Sequence, residues 1–118
     1  MGTFRVVIEI GDPAGSRFES VQALVDTGAS YTTVPGSILR DMIVTAHDPV
    51  TFILAYGRRV QRDVGRTWSR VDGKSEITLV VFGDEDSEPL LGAYTIQGLL
   101  LGVDTPNERL VAVPGLLM

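Results

Sequence analysis

Ala23-Leu24-Val25-Asp26-Thr27-Gly28-Ala29-Ser30 is the stretch on which the fold turns. Three apolar residues lead straight into a carboxylate. An ionised Asp is seldom left in an apolar setting without a partner, which sets Asp26 apart from an ordinary surface acid. Gly28 beside it lets a backbone or a ligand approach closely, and Thr27 offers a hydroxyl able to hold a loop. Taken alone, the three residues also fit a plainer reading, a strand that ends in a turn begun by Asp26 and Thr27. The surroundings of the segment decide between the two.

Working outward, short strands alternate with turn signals along the whole chain, the pattern of a compact β domain. Residues 5–10 alternate, with Val6, Ile8 and Ile10 on one face, and a turn cluster follows at residues 11–15. Residues 17–25 form the strand that leads into Asp26, and Thr32 to Val34 is short and β-branched. Ser37 is a candidate N-cap for one helical turn through Ile38 to Met42. Residues 50–54 and 59–64 are two strands joined by the small-residue tip Ala55-Tyr56-Gly57-Arg58. Residues 66–71 and 74–82 flank Asp72-Gly73, a strong two-residue hairpin signal. After the acidic run 83–88 comes Leu90-Leu91-Gly92, apolar and buried in pattern. A short, weak helix over 93–99 is next, then strands at 100–103 and 109–113 around the turn Thr105-Pro106-Asn107-Glu108. No linker, repeat or second domain is visible, so residues 1–118 read as a single domain.

Composition narrows the chemistry. The 118 residues are 44% hydrophobic and 21% charged, a globular balance rather than a disordered one. A net charge of −5 argues against nucleic acid as the main partner, since neutralising phosphates needs a basic face. It argues equally against an anionic membrane surface. Apolar runs such as Leu99-Leu100-Leu101 fall far short of the roughly 20 residues of a spanning helix. The start, Met-Gly-Thr-Phe-Arg, runs straight into the alternating pattern instead of a basic-then-apolar leader, which makes the cytoplasm the default expectation. With no cysteine, a disulfide scaffold, a Cys-type zinc site and a thiol nucleophile are excluded. The single His47 argues against a His metal cluster or a Ser-His-Asp triad within one chain. Carboxylates, hydroxyls and backbone groups remain.

Other charged and aromatic features have plain readings beside functional ones. The run Asp84-Glu85-Asp86-Ser87-Glu88 offers oxygens for a hard cation, but an acidic surface loop needs no ion. Arg58, Arg59, Arg62, Arg66 and Arg70 fit solvated strand faces, or else a preference for acidic substrate side chains. Trp68 and Tyr56 read as substrate contacts or as partly buried aromatics, and His47 as a loop residue.

The order of parts resembles the retropepsin-like aspartic proteases, the single-lobe family of the retroviral proteases and their bacterial and archaeal relatives. An apolar strand carries Asp26-Thr27-Gly28-Ala29, a hairpin follows at residues 51–60, and Leu90-Leu91-Gly92 leads into a helix. The likeness covers about residues 5–113, and the stretch 89–113 looks most like the prokaryotic members, which end in a helix and a strand hairpin. It implies an all-β, closed barrel of the acid-protease fold, one lobe per chain, with one or two short helices. It implies an aspartic endopeptidase in which Asp26 is the catalytic acid/base and Thr27 and Gly28 brace its loop and a dimer axis. Ala29, Ser30, Leu90 and the flap residues Ala55, Tyr56, Gly57 and Arg58 are then expected to meet a peptide or protein substrate. No metal or organic cofactor is implied. A catalytically silent binding or dimerisation module on the same fold is the other reading.

Two carboxylates are needed for that chemistry and the chain has one Asp-Thr-Gly. Asp104-Thr105-Pro106 lacks the glycine, so a two-fold homodimer is the route to a pair. The sequence departs from the retroviral pattern in two linked places. Ser30 and Ala93 stand where those enzymes have an acidic residue and an arginine that pair, and because both partners are absent together no lone buried charge is left. The N-terminal strand used at the retroviral dimer contact also has no counterpart ahead of the first core strand. The apolar tail from Val111 to Met118 is the candidate replacement.

Overall fold

The alternation of residues 5–11 and 18–25 produces two antiparallel strands, β1 (Arg5–Gly11) and β2 (Phe18–Val25), with Ile8, Ile10, Val21, Ala23 and Val25 buried on their shared inner face. The computed structural model describes residues 4–115 and 117. Further along come β3 (Thr32–Pro35), α1 (Gly36–Asp41), β4 (Val50–Ile53), β5 (Arg59–Arg62), β6 (Val64–Val71) and β7 (Lys74–Gly83). The chain continues with β8 (Leu90–Leu91), α2 (Ala93–Gly98), β9 (Leu101–Asp104) and β10 (Arg109–Ala112).

Six strands pair in the order β1-β2-β8-β3-β7-β6, and β6 returns to β1, closing the ring. β4–β5 and β9–β10 are separate two-stranded ribbons. The β6–β7 turn is Asp72-Gly73, and both residues have positive φ (52° and 77°), the twist that suits a two-residue hairpin. Inside the ring the core runs from Phe4, Ile8 and Ile10 through Val34, Leu39 and Val80 to Leu91, Ile96 and Leu110. Polar side chains at the β6–β7 end of the interior are satisfied: the Thr67 hydroxyl donates to the Gly11 carbonyl, and Ser69 and Thr78 share a hydrogen bond of 2.9 Å. Among the described residues no buried side-chain polar atom lacks a partner, as the cost of such an orphan demands.

The pairing of β8 is what places the site. Only two residues long, it lies parallel to β2 (Leu24↔Leu90, Val25↔Leu91) and antiparallel to β3 (Thr33↔Leu90). The end of β2, where Asp26 sits, is thereby held beside the start of β3.

One local expectation is corrected. Ser37 does not cap α1. The helix begins a residue earlier, with Pro35 at its cap position and no side-chain capping bond. The backbone N–H and hydroxyl of Ser37 both donate to Glu85 on the acidic loop instead, so a distant carboxylate meets the helix start. Arg70, read as a solvated or substrate-facing cation, makes a two-pronged pair with Glu9 across β1–β6 at 2.8 and 3.0 Å. Its guanidinium carbon also lies 3.8 Å from the centre of the Phe18 ring.

Four carboxyls sit below their ordinary range. The Arg70 guanidinium lowers Glu9, and the Arg17 backbone N–H lowers Asp12. The Ser37 hydroxyl lowers Glu85, and the Asn107 amide lowers Asp104. A lowered carboxyl stabilises the folded chain above its unfolded-state pKa, and that contribution is lost as pH falls through the folded value. The melting temperature should therefore hold from neutral down to about pH 5 and fall progressively below it. A melting temperature unchanged down to about pH 3 in calorimetry would show that these four contacts do not persist in solution.

Candidate active site

The loop after β2 closes on itself. The Gly28 N–H donates to Asp26 Oδ1 at 3.0 Å, and the Ala29 N–H donates to the Asp26 carbonyl at 3.1 Å. Asp26 also extends the β2–β8 pairing, its N–H reaching the Leu91 carbonyl at 3.1 Å. Its side chain is half-buried, with one carboxylate oxygen held by the loop.

The loop is fastened to α2 from below. The carbonyls of Ala29 and Ser30 accept the N–H groups of Ala93 and Tyr94, each at 2.9 Å. These are first-turn amides that the helix itself leaves without partners. Beneath them Thr32 and Thr95, both fully buried, share a hydroxyl hydrogen bond of 2.6 Å, and Thr32 also accepts the Gly92 N–H at 3.1 Å. Gly92 is required here by contact distance. A Cβ at this position would lie 2.5 Å from the Tyr31 carbonyl carbon and 2.9 Å from the Thr32 nitrogen, backbone atoms with no room to move. The residue pattern Leu90-Leu91-Gly92 thus has a local cause: Leu90 for the cleft wall, Leu91 for the interior and a glycine for the crossing.

Above the loop stands the β4–β5 hairpin, with Phe52 opposite Val60 and Ile53 opposite Arg59. Strand alternation gives it two faces. Phe52, Leu54, Val60 and Arg62 are half-buried, while Thr51, Ile53, Arg59 and Gln61 are exposed. Its tip is closed by hydrogen bonds of 2.8 Å from Leu54 N–H to the Arg58 carbonyl and from Gly57 N–H to the Leu54 carbonyl.

Between hairpin and loop lies a cleft of about 660 Å³. Gly28, Ala29 and Ser30 form its floor, Phe52, Leu54 and Val60 its roof, and Val81 and Leu90 part of its wall. Of the residues expected to meet substrate, Ala29, Ser30 and Leu90 line this cleft. Ala55, Tyr56, Gly57 and Arg58 do not; all four are exposed at the hairpin tip, Tyr56 at 75%. The hairpin residues that line the cleft lie in the stems, Phe52, Leu54 and Val60 among them, and the period-2 alternation around Phe52 and Val60 was the available signal. Thr27 is exposed; within the chain the Gly28 N–H holds the Asp26 carboxylate, and Thr32 and Thr95, which no sequence feature singled out, bond to each other beneath the loop.

The remaining candidates sit elsewhere. Trp68 packs over Gly15 in the β1–β2 turn, away from the cleft, and the exposed His47 contributes its backbone N–H to the Val64 carbonyl. The acidic loop is divided among separate partners: Asp84 pairs with Arg62 at 3.0 Å, Glu85 with Ser37 and Arg40, and Glu88 with Arg5 at 2.6 Å. Among the described residues no group of three His, Asp or Glu side chains is placed to hold a metal ion.

No protein-family model and no curated protein matches the chain. Solved structures do. The solution structure of simian foamy virus (mac) protease matches with a TM-score of 0.56 and 22% identity over 80% of this chain and 92% of that one. The EIAV protease complexed with the inhibitor HBY-793 matches with a TM-score of 0.55 and 14% identity, over 83% and 88%. The fold is therefore that of a retroviral protease subunit, mostly β, spanning most of the chain.

The fastening of the loop can be tested directly. Thr32→Val keeps the shape but leaves the Gly92 N–H and the Thr95 hydroxyl without their buried partner. It should cost about 1–3 kcal/mol in denaturant unfolding. Wild-type stability in that variant would remove the Thr32–Thr95 bond from the account of how Asp26 is held.

Proposed function

We propose that the chain is an aspartic endopeptidase of the retropepsin type, working as a homodimer with one Asp26 from each copy at the two-fold axis. The observation that carries this reading is the placement of a half-buried carboxylate on a tightly bonded loop whose next residues floor an apolar cleft roofed by a β-hairpin. The likeness in fold to the foamy virus and EIAV proteases supports it.

The chemistry follows from the pair. One carboxylate cannot act as base toward water and as acid toward the substrate in the same step. Two of them about 3 Å apart cannot both ionise, so they share one proton. One Asp26 then takes a proton from the attacking water while the other donates one to the peptide carbonyl. As the tetrahedral diol collapses, the C–N bond breaks: the Asp26 that gained the water's proton gives it to the leaving amine nitrogen, the other takes a diol hydroxyl proton as the carbonyl re-forms, and no covalent bond to the enzyme is made. The substrate lies extended between the loop residues Ala29 and Ser30 and the hairpin, an arrangement suited to strand addition. The half-buried Phe52, Leu54 and Val60 favour apolar side chains there.

The dimer contact in this proposal differs from the retroviral one. Ser30 and Ala93 replace the ion pair, and their backbone groups join loop to helix instead. The C-terminal segment supplies apolar surface: Val113 bonds back to the Leu100 carbonyl, and Leu100, Val113 and Leu117 are exposed. Leu116 and Met118, also named in the tail reading, lie outside the described residues. The succession of α2 and the β9–β10 ribbon is the feature behind the proposed kinship with prokaryotic single-lobe members. A cytoplasmic site of action is part of the same proposal. It suits Ala29, which brings no hydroxyl to stabilise the ionised pair and so leaves the optimum nearer neutral.

Asp26→Asn keeps the shape of the loop and removes the shared proton. Cleavage of an unstructured protein should fall by at least about 10²-fold, the lower range for losing general acid–base catalysis, with the melting temperature nearly unchanged. The wild-type rate should follow a bell-shaped pH profile. Retained cleavage in Asp26→Asn would refute the role of Asp26, and a parallel loss of melting temperature would make that role structural.

A further inference from the structure

The hairpin roof is tied to the barrel at two points. At its base Arg62 pairs with Asp84. Midway along, the ring of Phe52 meets the ring of Tyr31 edge-to-face, with centroids 6.0 Å apart and planes at 75°. Tyr31 in turn meets Tyr94 of α2 in the same manner, at 5.7 Å and 77°. Three rings thus run in series from roof, through the residue that follows Ser30, to the helix that anchors the loop.

The positions of these rings are unequal in freedom. The backbone of Tyr31 is fixed by the close crossing of Gly92 and by the neighbouring Thr32. Tyr94 bears on the Tyr31 ring, and the Tyr94 N–H is bonded to the Ser30 carbonyl. Phe52 belongs to a two-stranded ribbon with no strand partner in the barrel. Lifting the roof therefore separates Phe52 from a ring that stays where it is, and exposes the half-buried Phe52 to water.

We propose that Tyr31 is a positioning residue that sets how long and how low the hairpin rests over the cleft, acting through Phe52 and not on the reacting atoms. Its consequence for turnover rests on the peptidase reading above. The contact itself is a property of the free protein, so the two can fail separately. Substrate entry requires the Phe52–Tyr31 contact to open, and a bound strand is retained while it is closed.

Amide hydrogen exchange in the hairpin tests this, read at the Leu54 and Gly57 N–H groups that close its tip. Tyr31→Ala and Phe52→Ala should each speed exchange there by about two- to tenfold, the range for one edge-to-face pair. The double variant should be no faster than the singles, because both remove the same contact. Tyr31→Phe should exchange like wild type, and β6–β7 amides should be unchanged throughout. In cleavage assays Tyr31→Ala should raise KM with little change in kcat, and Tyr31→Phe should restore it. Unchanged hairpin exchange in the single variants, or additive acceleration in the double, would overturn the proposal. If Tyr31→Ala loosens β6–β7 as well, Phe52→Leu decides: faster exchange confined to residues 50–62 upholds the contact, and none overturns it. A wild-type chain without peptidase activity would sink the enzymatic reading while leaving the exchange result to judge the contact.

Discussion

Two buried hydroxyls, those of Thr32 and Thr95, share a short hydrogen bond, and the presentation of Asp26 depends on it. The bond lies under the crossing of β3 and the start of α2, where Gly92 passes the backbone of Tyr31 at a distance no side chain permits. In water such a bond would contribute little. In the interior, losing one partner strands the other, so the crossing is held by the cost of opening it. Because α2 is fixed there, its first amides reach the carbonyls of Ala29 and Ser30 and keep the loop rigid. A carboxylate meant to work on a reacting bond has to be held in this way, since small displacements cost much of the catalytic advantage.

A different constraint acts from outside the chain. Asp26 offers a single carboxylate, and the proposed reaction needs a base and an acid at once. The fold answers the first half of the problem, by fixing one carboxylate on the loop whose next residues floor the cleft. In the proposed dimer the second half falls to a second copy. Around the loop, Ser30 and Ala93 are engaged through backbone bonds, and Leu100 and Val113 leave apolar surface exposed.

Much of the architecture was legible in the residues. The alternation of Val6, Ile8 and Ile10 and the Asp72-Gly73 turn gave strands and a hairpin because both signals are local. Asp26-Thr27-Gly28 and Leu90-Leu91-Gly92 pointed to one another only through a family resemblance, since nothing local says that β8 inserts between β2 and β3. What escaped was long-range or side-chain specific. Ser37 looked like a cap because its neighbours did, yet a carboxylate 48 residues away claimed it. The hairpin tip drew attention through its small residues, and the inward face of Phe52, Leu54 and Val60, though carried by strand alternation, was not read. The pairings of Tyr31 with Phe52 and Tyr94 depend on three elements meeting, which no window of sequence contains.

In the proposed enzyme, catalysis needs Asp26 from two copies. Wild-type and Asp26→Asn chains refolded together in varying ratio, at a constant total concentration above the dimer dissociation constant, test it most directly. If mixed dimers are inactive, activity per wild-type chain falls in proportion to the wild-type fraction, and total activity falls as its square. Activity per wild-type chain that stays constant as the variant is added would contradict the account, because each chain would then be cutting with its own single aspartate.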